Sequence, residues 1–319
     1  MLTAVVLFVI GLALLIVCGD WFVDGSVGIA KRFHVPELLI GATVVSIGTT
    51  LPEVMVSASA AVQNHSEIAY GNAIGSVICN TALIAALTAA IRPSSVDRTS
   101  LRLPTIFFFI AAVLYAGIAY TGGSFTRFSG ILLLSIFLVY FTLSARRALT
   151  ETPKAEASEE AETPLLKSLL LMLVGAAGIA IGANLLVENG TLIAAALGVP
   201  ESVIALTFVA LGTSLPELTT AITALVKGHS ALSLGNVVGA NLFNLVLVSG
   251  AAITIRPFSL PQEKTLLGVN ASLAVDVPLM FLVMVILTLP TLRSGKLRRW
   301  QGVLLLSLYA AFCVFQFAS

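Results

Sequence analysis

The chain has 319 residues, of which 58% are hydrophobic and only 10% are charged. This composition lies far outside the range of soluble domains and is typical of a membrane protein with many spans. The net charge of +1 gives no electrostatic argument for a nucleic acid partner. The three cysteines all lie in apolar stretches and do not form the pattern of a disulfide framework. The lipid bilayer is therefore the expected surrounding of this protein.

Windows of about 20 apolar residues, the length that crosses a bilayer, can be placed ten times along the chain. The first window is not preceded by basic residues and is too long for a signal peptide, so we expect it to be retained as the first span. The predicted spans are 2–24, 37–62, 67–91, 103–121, 127–147, 165–187, 201–226, 230–254, 267–289 and 299–317.

The basic residues predict the orientation of these spans. Fourteen of the 17 Lys and Arg residues fall in one set of alternate loops, and three fall in the other set. Because cytoplasmic loops carry the excess of basic residues, both termini are expected outside the cell and the central loop in the cytoplasm. That loop, 148–164, is acidic and free of aromatic residues, and it is predicted to be a disordered linker. A regulatory cation site built from its glutamates is an alternative.

One motif occurs twice, each time inside a long apolar run. Residues 48–53 read Gly-Thr-Thr-Leu-Pro-Glu, and residues 212–217 read Gly-Thr-Ser-Leu-Pro-Glu. A shift of 164 positions aligns the two copies, and further matches continue without a gap over about 80 residues. Each half contains five spans, an odd number, so equivalent helices would run in opposite directions. We therefore predict an all-α membrane fold of ten transmembrane helices in two inverted five-helix repeats, 1–147 and 165–319.

The proline and the glutamate of the motif are both costly in a membrane helix. A carboxylate at the bilayer centre costs about 2.5–3.5 kcal/mol, and Pro52 and Pro216 each remove a backbone hydrogen bond. The second helix of each repeat is therefore expected to break near the midplane and to present carbonyls, hydroxyls and Glu53 or Glu217. Such hard oxygen ligands suit Na⁺ or Ca²⁺ rather than zinc or copper. A structural proline kink would explain one copy, but a kink with an adjacent glutamate in both copies favours a cation site.

The helix after each motif supplies further candidate ligands. Asn72, Ser76 and Asn80 are spaced four apart and therefore share one helical face, and Asn236 and Asn244 take the matching places in the second copy. These asparagines could instead only bond helix to helix. The candidate cation ligands are Glu53, Glu217, Thr49, Thr50, Thr213, Ser214, Ser76, Asn72, Asn80, Asn236 and Asn244.

These motifs resemble those of the cation/calcium antiporter superfamily, specifically its sodium/calcium exchanger branch. The resemblance is strongest over residues 41–80 and 205–244, where each Gly-Thr-(Ser/Thr)-Leu-Pro-Glu is followed by Gly-Asn-x-x-Gly. It implies four central cation sites at which Ca²⁺ and several Na⁺ compete, and two gating helices, the first and sixth spans. It also implies that Glu53 and Glu217 are ligands shared by Ca²⁺ and Na⁺.

Two positions depart from the pattern of that family. Ser76 is matched by Ala240, which has no hydroxyl, so one expected Na⁺ site is weakened and the transport stoichiometry is left open. Asn244 stands where some relatives, including potassium-dependent ones, carry aspartate, which argues against potassium coupling.

The predicted function is secondary active antiport that exports Ca²⁺ against Na⁺ across the cytoplasmic membrane, by a chain that acts as a monomer. No enzyme activity and no cofactor are expected, only the transported ions. Two ionised glutamates carry a charge of −2, which one Ca²⁺ would neutralise. Ca²⁺/H⁺ exchange, with the two glutamates as proton carriers, is the main alternative. An intramembrane hydrolase with the glutamates as an acid/base pair is a third hypothesis. The symmetric set of hydroxyls beside the glutamates suits an ion site better than the cleavage of a single bond.

Overall fold

The computed structural model describes residues 2–150, 164–197, 212–262, 265–266 and 268–318. Within this part of the chain, one helix lies at each of the ten places where a span is predicted. The helices are α1 (Leu2–Arg32), α2 (Glu37–Val62), α3 (Ser66–Ile91), α4 (Arg98–Gly122), α5 (Arg127–Thr150), α6 (Leu165–Ala196), α7 (Leu215–Val226), α8 (Ser230–Ile255), α9 (Ser272–Ser294) and α10 (Arg299–Ala318).

Eight of these helices, α1 to α6 with α8 and α9, are long and apolar enough to cross a membrane. Helix α10 has 20 residues, and α7 is a shorter apolar helix of 12 residues. The first part of the predicted seventh span lies outside the described residues. Helix α5 continues to Thr150, three residues into the segment predicted as a linker, and residues 151–163 of that segment also lie outside the described part. The protein is therefore a multi-pass integral membrane protein.

The most buried helices form the centre of the molecule. The apolar windows of α8, α3 and α2 are 78%, 72% and 56% buried, whereas those of α1 and α6 are 28% and 22% buried. Both copies of the motif helix pack within this centre, α2 against α8 and α7 against α3. Helices α1 and α6 lie together at the periphery, where a Cβ atom on Gly11 would stand 2.8 Å from the carbonyl oxygen of Gly182.

Four of the described helices contain a π-helical segment, in which the backbone takes one extra residue in a turn. In α2 the segment is Gly41–Val45, and it comes before the motif. Its altered carbonyls find partners, because the Tyr140 hydroxyl donates to the carbonyl of Ala42 at 2.7 Å and the Ser46 hydroxyl donates to that of Gly41 at 2.7 Å. The other segments are Asn80–Ala85 in α3, Asn244–Val248 in α8 and Ser272–Asp276 in α9.

The predicted break at the motif is wrong for the first copy. The α-helical part of α2 runs without interruption over Ser46–Val62 and includes Pro52. A proline removes a single hydrogen bond of the ladder, so the turns on either side can continue the helix. In the second copy, residues 213–214 form a turn and α7 begins at Leu215, with Pro216 in its first turn, where an N–H would have no helical partner. The residues before this turn, 198–211, are outside the described part.

Short antiparallel strands join loops from the two halves of the chain. Strand β1 (Ser94–Ser95) pairs with β6 (Lys296–Leu297), with Ser94 opposite Leu297. Strand β2 (Ser124–Phe125) pairs with β3 (Phe258–Ser259), with Phe125 opposite Phe258. A third pair, β4 (Thr265–Leu266) and β5 (Val269–Asn270), forms a hairpin before α9. The first two pairs place the loops after α3 and α9 on one side of the molecule and those after α4 and α8 on the other.

Two glycines let α8 approach α2 closely. Gly235 and Gly239 are one helical turn apart, a spacing that favours close helix packing in membranes. A Cβ atom on Gly235 would overlap the carbonyl oxygen of Leu38, and one on Gly239 would lie 2.6 Å from the Cα of Ala42. These neighbours are backbone atoms, which cannot turn aside as a side chain can.

We therefore expect Gly235→Ala to force α8 away from α2 and to destabilise the fold by about 1–3 kcal/mol, the usual cost of overpacking. Thermal unfolding of the detergent-purified protein, followed by intrinsic fluorescence, measures the effect. Gly117→Ala on α4 is the matched control, because no described residue lies within 4 Å of a Cβ atom built there. Equal melting temperatures for the two variants would contradict the packing argument.

Candidate cation-binding site

The two motif glutamates face each other in the interior. The side chains of Glu53 on α2 and Glu217 on α7 are both 0% exposed. Their carboxylates are close enough to interact with each other electrostatically. None of the four carboxylate oxygens accepts a hydrogen bond from a described residue. Two acidic groups without donors in the interior are prohibitively costly unless a cation or protons neutralise them.

Two hydroxyls of the first motif lie beside the Glu217 carboxylate of the second. They belong to Thr49 and Thr50, and neither is hydrogen-bonded to that carboxylate. The hydroxyls of Thr50 and Ser214 are buried and have no hydrogen-bond partner among the described residues. Thr213 lies in the turn before α7 and is half-buried, and its hydroxyl makes no hydrogen bond to a described residue. The structure thus brings both glutamates together with Thr49 and Thr50, and it buries Ser214 three residues before Glu217.

Two asparagines occupy equivalent places on the neighbouring helices. Asn80 and Asn244 are 0% exposed, and neither the amide oxygen nor the amide nitrogen of either residue has a partner among the described residues. Each is the first residue of a π-helical segment, a feature often found at functional sites. Helix α7 packs on the segment that begins at Asn80, and α2 packs on the one that begins at Asn244. Ser76, buried one turn before Asn80, lies on the same face of α3.

Asn72 and Asn236 are also equivalent in sequence, but they make different contacts. The Asn72 amide nitrogen donates to the backbone carbonyl of Glu53 at 3.1 Å and to the Ser57 hydroxyl at 2.8 Å. The Asn236 amide oxygen accepts a hydrogen bond from Thr49 at 3.2 Å, while its amide nitrogen has no described partner. Asn72 therefore braces the helix that carries Glu53, and Asn236 holds the Thr49 hydroxyl.

The sequence analysis missed two residues that support this site. The Ser46 hydroxyl donates to the backbone carbonyl of Asn236 at 3.0 Å and so ties α2 to α8. Ser57 accepts the hydrogen bond from Asn72. Both are fully buried. They stand seven residues before and four residues after Glu53, so helical spacing would have placed them on the same face as the glutamate.

The electrostatics of the site rest on two charges. Within the described residues, no group of three or more His, Cys, Asp or Glu residues could hold a metal ion. Among the described residues, the other polar groups near Glu53 and Glu217 are neutral hydroxyls and amides and the Cys79 thiol, and Ala240 takes the place equivalent to Ser76. A pair of carboxylates with neutral hard oxygens suits an alkali or alkaline-earth cation.

Comparison with known proteins agrees with this chemistry. The sequence profile described as "Sodium/calcium exchanger protein" matches residues 3–146 and 167–318. The chain belongs to the sodium/calcium exchanger family. This result confirms the resemblance inferred from the two motifs, and it makes the protein a cation antiporter rather than an enzyme.

Two relatives and a solved structure match this exchanger over nearly their whole length. An uncharacterized membrane protein of Methanocaldococcus jannaschii is 35% identical over 95% of this chain and 94% of its own. Sodium/calcium exchanger MaX1 of Methanosarcina acetivorans is 31% identical over 98% and 97%. A solved structure of the sodium-calcium exchanger NCX_Mj, soaked with Na⁺ and Sr²⁺, matches with a TM-score of 0.81 at 33% identity and covers 99% of this chain and 98% of that one.

Asn72→Leu tests the bracing role, because it keeps about the same size and removes the donating nitrogen without adding a charge. We expect the loss of the two hydrogen bonds to Glu53 and Ser57 to weaken Ca²⁺ binding about tenfold. Titration calorimetry on the purified exchanger measures the affinity. Ser57→Ala, which removes only one of the two acceptors and keeps the Asn72 oxygen, should have a smaller effect of the same sign. Unchanged binding by Asn72→Leu would contradict the bracing role, whereas a loss in Asn72→Leu with none in Ser57→Ala would favour Asn72 as a direct ligand.

Proposed function

We propose that this exchanger moves Ca²⁺ against Na⁺ by alternating access, with Glu53 and Glu217 as the shared ligands of both ions. The observation that carries the proposal is the pair of fully buried carboxylates, which interact with each other and have no hydrogen-bond donor among the described residues. One Ca²⁺ between them would neutralise both charges. The remaining ligands would come from Thr49, Thr50, Thr213, Ser214, Ser76, Asn72, Asn80, Asn236 and Asn244.

The charge of the site explains why exchange is favoured over release alone. When Ca²⁺ leaves, two buried carboxylates remain uncompensated, which is costly in a low-dielectric interior. Na⁺ ions that enter the same site relieve this cost. An empty carrier is therefore the least favourable state, and movement between the two sides would occur mainly with cations bound. That condition couples the flux of one ion to the flux of the other.

The arrangement of the two halves supports an inverted repeat of ten spans. The π-helical segments of α3 and α8 begin at Asn80 and Asn244, which are 164 positions apart. The strand pairs are also reciprocal, since each joins the loop after the third helix of one half to the loop after the fourth helix of the other half. Two inverted halves would bring their motif helices together near the membrane midplane, where substrate sites of such transporters lie.

The proposal includes the placement of the chain in the cell. The loops that pair through β1 and β6 both belong to the set that carries fourteen basic residues, and those that pair through β2 and β3 both belong to the other set. The positive-inside rule then puts the termini outside and the 148–164 linker in the cytoplasm, in a protein of the cytoplasmic membrane. The two repeats, 1–147 and 165–319, would form one complete site, so a monomer would suffice.

Ca²⁺/H⁺ exchange is a second candidate, and the same carboxylate pair favours it. Two protons would neutralise Glu53 and Glu217 as well as two Na⁺ would, because the groups around them are neutral. Ala240, which lacks the hydroxyl of Ser76, also leaves one fewer oxygen for a second metal ion. The two candidates differ only in the driving ion.

Glu53→Gln and Glu217→Gln each keep the shape of the side chain and remove one of the two charges. We expect each variant to lower Ca²⁺ uptake at least about a hundredfold, as for the loss of one partner of a buried ion pair. Uptake of ⁴⁵Ca²⁺ by reconstituted vesicles measures this effect, and size-exclusion chromatography checks folding. Glu67→Gln, an exposed glutamate of α3, is the matched control. Near-normal uptake by either site variant would refute the assignment.

The driving ion is identified by imposing one gradient at a time on vesicles that contain the purified exchanger. We expect an outward Na⁺ gradient to drive ⁴⁵Ca²⁺ uptake and collapse of that gradient with a Na⁺ ionophore to stop it. A pH gradient of equal size, without Na⁺, should drive little uptake. Uptake that follows the pH gradient and ignores Na⁺ would select the proton-coupled candidate.

A further inference from the structure

A cluster of three charged residues ties α1 to the helix that carries Glu217. The Lys227 ammonium, immediately after α7, lies 2.7 Å from an Asp20 carboxylate oxygen and 2.7 Å from an Asp24 carboxylate oxygen. It also donates to the backbone carbonyl of Asp20 at 3.2 Å. Asp20 and Asp24 are one helical turn apart, so both carboxylates reach the same ammonium. We call these three residues the α1–α7 ionic cluster.

The ionic cluster lies at one end of a groove between α1, α6 and α7. The groove has a volume of about 440 Å³, and its apolar walls include Leu12, Ile16 and Ile222. Beside the cluster the two helices approach closely at Gly19, where a Cβ atom would stand 2.8 Å from the Thr219 methyl group and 3.2 Å from the Thr223 hydroxyl. The charges therefore add an attraction between α1 and α7 next to this contact.

Among the described residues, the equivalent position in the other half has no such cluster, although Glu188 takes the place of Asp24. Under the shift of 164, Lys227 corresponds to Gln63, whose amide donates to Ser59 within its own helix at 2.9 Å. Asp20 corresponds to the neutral Asn184. Met55, the equivalent of Thr219, is 71% exposed on α2, whereas Thr219 is half-buried against α1. The motif helix of one half is thus covered near its end, and that of the other half is not.

We propose that the α1–α7 ionic cluster is a one-sided latch, which stabilises the conformation in which α1 covers the helix of Glu217 on the side predicted to be cytoplasmic. The latch makes the two access states unequal in free energy, although the two halves of the site are nearly equivalent. The inference assumes the alternating access proposed above, but it does not depend on whether Na⁺ or H⁺ drives transport.

The strength of such a latch is bounded by the exposure of its carboxylates. About half of each aspartate side chain is exposed, so each pair contributes as a surface ion pair does. Burial alone would lower the pKa of Lys227, yet the two aspartates raise it above its ordinary value by hydrogen bonds and charge, so the ammonium stays protonated. Loss of both pairs should change the ratio of the two conformations by about three- to fivefold.

Accessibility of engineered cysteines to a water-soluble maleimide, measured on detergent-purified protein so that the reagent reaches both sides, tests the latch without a transport assay. Thr223→Cys reports the covered side, because Thr223 packs on Gly19, and Ser59→Cys is its equivalent on the open side. The native cysteines give a background that is measured in the parent chain. With Lys227→Gln, we expect Thr223→Cys to react about three- to fivefold faster and Ser59→Cys to react more slowly.

Two further variants make the test specific to charge. Lys227→Arg keeps the cation and should react like the parent, whereas a variant that combines Asp20→Lys, Asp24→Lys and Lys227→Asp reverses both pairs and should restore slow reaction at Thr223→Cys. Unchanged labelling in Lys227→Gln, or faster labelling at Thr223→Cys alone, would overturn the latch. Because Ca²⁺ affinity is measured separately by calorimetry, failure of the latch is distinguishable from failure of the proposed function.

Discussion

Two buried carboxylates that face each other set the conditions for the rest of this molecule. Glu53 and Glu217 have no exposed surface and no hydrogen-bond donors in the described structure. In a low-dielectric interior their mutual repulsion and their lost hydration are costly unless a cation or protons neutralise them. In the exchange proposed above, the groups that make the site costly when it is empty also make it attractive to a cation from either side.

Neutral polar groups near the two carboxylates also favour a bound cation. The amides of Asn80 and Asn244 and the hydroxyls of Thr50 and Ser214 are buried and have no hydrogen-bond partner among the described residues. Each would cost about 1–3 kcal/mol if it stayed unsatisfied, but an ion bound between the helices would recover part of that cost. Two of the hydrogen bonds that do form, from Asn72 to the carbonyl of Glu53 and from Ser46 to that of Asn236, hold backbone atoms. A third joins two candidate ligands, since Thr49 donates to the amide oxygen of Asn236. The oxygens of both glutamates and of Thr50, Ser214, Asn80 and Asn244 have no partner among the described residues.

The sequence predicted the proximity of Glu53 and Glu217 better than it predicted the course of the helix that carries Glu53. Repetition of Gly-Thr-x-Leu-Pro-Glu at a constant shift is a strong signal, because inverted repeats place matching residues together across a large sequence separation. It could not reveal that α2 continues through Pro52, since one lost hydrogen bond does not oblige a helix to end. The π-helical segments could not be predicted either, because they have no hydrophobic period of their own in the sequence. Asn72 was predicted to be a cation ligand because its amide carries an oxygen. An amide nitrogen also donates hydrogen bonds, and the positions of Glu53 and Ser57 show that the Asn72 nitrogen does so here.

A perfectly symmetric pair of inverted repeats would make the inward-open and outward-open states equal in free energy, because exchanging the halves exchanges the states. Any preference must therefore come from positions where the halves differ. At the candidate site, Ser76 of the first half corresponds to Ala240 of the second. At the helix ends, Gln63 corresponds to Lys227, and Asp20 corresponds to Asn184. The first difference acts on the bound ions, whereas the others act on α1 and α7 whether or not an ion is bound. Substitutions at the helix ends can therefore change the preferred side of access while the chemistry of the carboxylate pair stays the same.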